Sequence, residues 1–194
     1  MDFTSNRTRR IVLIALMAAI ALLLAKIRFP IFPAAPFLKM DLGEIPLLLA
    51  ACAVPMWGGV AALAVKELLS FLIFGTNIFG LAADFLCCGP FILVFSLVLR
   101  RGFAGRRFAA ALLAGMAARV AAAVPVNLVI LQLQYGSSVA AIWTQMPYIL
   151  PFNALKCVLD GVCAGFVFRR LPGRQCPWTQ RRGLSPDRPE TKQM

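Results

Sequence analysis

Long apolar runs separated by breakers dominate the chain, near residues 11–29, 43–56, 58–75, 79–99, 109–131 and 147–168. A helix crossing a bilayer takes about 20 mostly apolar residues. The pattern therefore predicts an all-α fold: an integral membrane bundle of six transmembrane helices filling residues 1–171, with little length left for anything else. Between the first two runs, Pro30, Pro33 and Pro36 cannot continue a helix, so this stretch is expected to be an ordered loop outside the membrane. Residues 172–194 lack apolar periodicity and mix prolines with basic side chains, which predicts a disordered tail.

Composition agrees with a bilayer as the solvent: 60% of residues are hydrophobic, only 14% are charged, and the mean hydropathy is +0.80. The formal charge of +12 would suit a nucleic-acid binder, but the basic residues cluster at the ends of apolar runs rather than on one face. They read as topology signals. Fourteen of the 20 fall on one side, in clusters beginning at Arg7, Arg100 and Arg169, and only Lys26, Arg28 and Lys39 fall on the other. The positive-inside rule then places both termini, and the tail, in the cytoplasm. Arg7, Arg9 and Arg10 before the first run also resemble the start of a signal peptide, but Leu23 is too large for the position three before a cut after Ala25.

Several chemistries are disfavoured. Histidine is absent, which removes the commonest general base and metal ligand. The six cysteines, Cys52, Cys87, Cys88, Cys157, Cys163 and Cys176, lack metal-type spacing and read as reduced packing residues. No phosphate-binding loop of the Gly-x-x-x-x-Gly-Lys-Ser/Thr type occurs, so any pumping must draw its energy from another chain. An enzyme is not expected, nor a metal site or a resident cofactor.

Ionisable groups inside a membrane are costly unless paired or hydrated. The runs contain Lys66, Glu67, Asp84, Arg119, Lys156 and Asp160, with Asp84 placed near the outer interface. Arg119 and Asp160 lie at matching depths on consecutive antiparallel spans, which predicts that they pair, with Glu67 as the competing partner. Asn153, Lys156 and Asp160, at i, i+3 and i+7, share one face of the last span, and Asn127 lies at similar depth on the span before it. Two amides and an ammonium converging under the outer loops suit a neutral heterocycle with imide-like edges. Interhelical glue is the alternative role for the same groups. The small residues of Ala15-x-x-x-Ala19 and Gly161-x-x-x-Gly165 allow close helix approach within the chain or to a partner.

Six spans, the Ala15/Ala19 helix, and the segments Phe37-Leu38-Lys39-Met40-Asp41-Leu42-Gly43-Glu44-Ile45-Pro46 and Pro151-Phe152-Asn153-Ala154-Leu155-Lys156 resemble the S components of energy-coupling factor (ECF) transporters. The riboflavin-binding branch looks closest. The resemblance implies a vitamin-capturing subunit that works with a T subunit and two ATPase subunits in the plasma membrane. It implies further that Asn127, Asn153 and Lys156 hydrogen-bond the flavin, that Phe37, Leu38, Thr76 and Asn77 cover it, and that Ala15 and Ala19 meet the T subunit. Lys66-Glu67 and Cys87-Cys88 depart from the expected pattern. Alternatives are an S component for another vitamin or small molecule, a structural membrane protein, or an ion-coupled transporter, although no inverted repeat supports the last.

Overall fold

The computed structural model describes residues 3–30, 38–54, 57–99 and 105–170. Among these the chain forms seven helices: α1 (Phe3–Leu24), α2 (Glu44–Ala53), α3 (Gly58–Phe74), α4 (Ile78–Leu99), α5 (Gly105–Tyr135), α6 (Val139–Trp143) and α7 (Met146–Arg170). Three segments are long and apolar enough to cross a membrane: Ile78–Leu99, Gly105–Tyr135 and Met146–Val167. The tail beyond Arg170, residues 31–37 of the Pro-rich loop, and Phe37 with them lie outside the described residues.

The first helix ends five residues before the apolar run suggested. Lys26 and Arg28 break the run, and the proline at position 30 disfavours helical geometry at Phe29. Phe29 and Pro30 instead form a two-residue strand, β1, which pairs antiparallel with β2 (Lys39–Met40), Phe29 opposite Met40. This ladder pins both ends of the Pro-rich loop. At α3 the chain stops on Gly75, whose φ of 57° is one that L side chains rarely adopt, and its N–H bonds Phe71 O at 3.0 Å. The five-residue α6 was not foreseen. It starts on Ser138, whose hydroxyl accepts from Ala141 N at 3.3 Å.

With ten residues, α2 is only about 15 Å long. It sits at the centre of the packing, touching α1, α3, α4 and α7, while α4 packs along α5 and α5 along α7. Its Leu47, Leu48 and Ala50 are fully buried. Close approach sets its head: a Cβ on Gly43 would stand 2.9 Å from Ala21 O of α1. From Ile11 onward the outward-facing residues of α1, and those of α3, are apolar, among them Ile11, Leu16, Leu23, Leu68 and Leu72. Acyl chains, not water, suit such faces.

Candidate functional site

Two helices use the same local device. Pro125-Val126-Asn127 in α5 and Pro151-Phe152-Asn153 in α7 each place an asparagine two residues after an interior proline. Asn127 Nδ2 donates to Ala123 O at 2.7 Å and Asn153 Nδ2 to Ile149 O at 2.9 Å, one turn back in each case. Tying Nδ2 to the backbone fixes the amide's orientation and leaves Oδ1 as the presented acceptor. Asn153 Oδ1 accepts from Arg119 Nε at 2.8 Å, whereas Asn127 Oδ1 has no hydrogen bond among the described residues.

Around these amides runs a connected charge network. Arg119 Nη1 meets Glu44 Oε2 at 2.5 Å, and the other oxygen of Glu44 lies 2.7 Å from Lys156 Nζ. Lys156 also reaches Asp41 Oδ2 at 3.3 Å. In a second cluster, Lys66 Nζ holds Glu67 Oε1 at 2.6 Å and Asp84 Oδ2 at 2.7 Å. Asp84 Oδ1 stands 4.0 Å from Lys156 Nζ and links the two halves. Asp41 is itself fixed, its Oδ1 accepting from Gly43 N at 3.0 Å. Pairing of this kind offsets the cost of burying charge.

The network borders a cavity of about 420 Å³. Leu38, Thr76, Asn77, Asn127, Asn153 and Lys156, all singled out from the sequence, line it together. Its apolar wall includes Cys87, Leu131 and Phe152, which belong to a buried cluster with Leu38 and Met40. Ala15 and Ala19 are exposed on α1 and do not line the cavity, while Ala18 and Ala21 point into the core.

Several expectations need correction. Arg119 pairs with Glu44 and not with Asp160, and Glu67 pairs with Lys66. Matching depth along the bilayer normal does not place two side chains on facing sides of their helices. Asp160 is fully buried and neither carboxylate oxygen has a hydrogen-bond partner among the described residues. Asp84 belongs to the cavity wall. The sequence reading of intramembrane charges left out Asp41 and Glu44, buried to 6% and 1% exposure. The available signal was the acidic pair within Lys39-Met40-Asp41-Leu42-Gly43-Glu44, at the edge of an apolar run.

A family model described as the substrate-specific component of ECF transporters matches residues 9–167. Riboflavin transporter FmnP of Bacillus subtilis (strain 168) is 27% identical over 186 residues, spanning 90% of this chain and 95% of that protein. Riboflavin transporter RibU of Lactococcus lactis subsp. cremoris (strain NZ9000) is 24% identical over 190 residues, covering 84% of this chain and 92% of its own. Among solved structures, the S component of a bacterial ECF transporter superposes with a TM-score of 0.74 at 25% identity, over 84% of this chain and 95% of that one. The S component for biotin from an ECF-type ABC transporter gives 0.58 at 14% identity, over 90% and 97%, a likeness of fold alone.

Proposed function

The chain belongs to the substrate-specific components of ECF transporters, a multi-pass protein of the bacterial plasma membrane, and we propose that it captures riboflavin from outside and releases it inward together with a T subunit and two ATPase subunits. One observation carries the substrate: two backbone-anchored amides border a single cavity together with Lys156, whose ammonium is already held by Asp41 and Glu44. A carboxylate-bearing vitamin would have to displace Asp41 or Glu44 from Lys156, and a cationic one finds the exposed Arg28 and Lys39 in the wall. A neutral heterocycle meets neither cost.

Asn127 and Asn153 then address the imide edge of the flavin, Phe152 and Leu131 its ring faces, and Leu38 with Thr76 and Asn77 the outer side. Phe37 is assigned to the same cover on sequence resemblance. Six spans with cytoplasmic termini are the topology of this reading, supported by the apolar outward faces of α1 and α3 and the basic clusters on one side. The role is transport, not catalysis, and riboflavin is cargo rather than cofactor. Titration of the purified chain decides it: saturable quenching of riboflavin fluorescence at one to one, with no competition by biotin or thiamine, is expected. A saturable signal for another vitamin and none for riboflavin would reassign the cargo.

A further inference from the structure

Besides the amides, Glu67 of α3 and Asp84 of α4 line the cavity with a different chemistry, since a carboxylate oxygen accepts hydrogen bonds. Both are held by one buried cation. Lys66, 2% exposed, binds one oxygen of each, Glu67 Oε1 at 2.6 Å and Asp84 Oδ2 at 2.7 Å, so the pair is preorganised from behind. Asp84 keeps an oxygen in reserve: Oδ1 stands 4.0 Å from Lys156 Nζ, beyond hydrogen-bond reach. Its side chain is also the most open of the network's acids at 26% exposure, against 9% for Glu67, 8% for Asp41 and 1% for Glu44. Thr76 and Asn77 stand in the same cavity wall, and Thr76 is committed by its hydroxyl to Ser70 O at 3.0 Å.

We infer that Asp84, with Glu67 beside it, forms a polyol subsite that accepts hydrogen bonds from the hydroxyl groups of the ligand's side chain. The inference rests on the riboflavin reading and deepens it. The cavity then offers two chemistries, amides for a ring edge on α5 and α7 and carboxyl acceptors for a hydroxylated chain on α3 and α4. A hydroxyl is matched by such a wall because Asp84 Oδ1 offers it a carboxylate acceptor, the stronger class of hydrogen bond, with Glu67 beside it. A ligand with a bare methyl in place of the polyol gains nothing from it and leaves the carboxylates dry.

The experiment compares riboflavin with lumiflavin, which has the same ring and a methyl in place of the ribityl chain. Glu67→Gln and Asp84→Asn are each titrated by flavin fluorescence alongside the unaltered chain. Glu67→Gln keeps the Lys66–Asp84 ion pair, so it remains informative if Asp84→Asn folds poorly. The expected result is that riboflavin weakens by about tenfold or more in the variants while lumiflavin changes far less. Equal weakening of both flavins, or no change in either, overturns the subsite. An unaltered chain that binds riboflavin no better than lumiflavin also overturns it, yet leaves flavin capture standing. A chain that binds neither flavin defeats the riboflavin reading itself and the subsite with it.

Discussion

Arg119 on α5 closes onto Glu44 at the head of α2, 75 positions earlier in the chain, and the two side chains are 3% and 1% exposed. This contact ties the short central helix to the long one beside the cavity. It also orients Asn153, which takes the Nε proton of the same guanidinium.

Removing Arg119 should therefore be severe. Arg119→Ala leaves Glu44 facing Lys156 alone and strips Asn153 of its donor, so a loss of about 3–5 kcal/mol is expected. Thermal unfolding in detergent, run as a double-mutant cycle, should find strong coupling between Arg119 and Glu44 and little between Arg119 and Asp160. Coupling to Asp160 instead would reinstate the pairing that depth alone suggested.

Asp160 presents the opposite case. Fully buried with no hydrogen bond to either oxygen among the described residues, it carries a desolvation cost without local compensation. Asp160→Asn should leave the unfolding midpoint unchanged or raise it. A drop equivalent to more than about 1 kcal/mol would reveal a partner for the carboxylate.

The two asparagines should separate in their effects. Among the described residues the Asn127 side chain hydrogen-bonds only Ala123 O, so Asn127→Ala is expected to weaken riboflavin by about tenfold with little change in stability. Asn153→Ala also orphans Arg119 Nε and should lower the unfolding midpoint as well as the affinity. Calorimetry and titration on both variants check this, and equal behaviour would remove the distinction.

On α1, neighbouring alanines should divide between partner contact and core. Ala15 and Ala19 are exposed, while Ala18 is fully buried. Ala15→Leu and Ala19→Leu should abolish riboflavin uptake by cells with the complete transporter while leaving affinity nearly intact. Ala18→Leu should instead reduce the yield of folded protein, because the core has no space for the added volume. Normal uptake by both outer-face variants would remove that face from the partner interface.

Much of the site was legible as a list of residues but not as a set of bonds. Lys66, Glu67, Arg119, Lys156 and Asp160 stood out as charges within apolar runs, and all are buried. Asn127, Asn153 and Lys156 were grouped by helical spacing and depth, and they do share a cavity. Asp41 and Glu44 escaped because they precede a run too short to read as a span, where an acidic residue looks like an ordinary helix start. The ladder of Phe29 and Pro30 with Lys39 and Met40 was equally hidden, since two residues make no periodic signal.

By itself, then, the sequence determined the solvent, the helical character and the burial of the charges that lie inside the long apolar runs. These follow from the length of apolar runs and the cost of placing charge in hydrocarbon, quantities that each segment carries alone. Tertiary structure decided the partners: Glu44 for Arg119, Lys66 for Asp84 and, among the described residues, none for Asp160. Pairing depends on the rotation of each helix about its axis and on how closely neighbours approach, as at Gly43 against α1. Those quantities are set by packing many segments at once, and no single run of residues contains them.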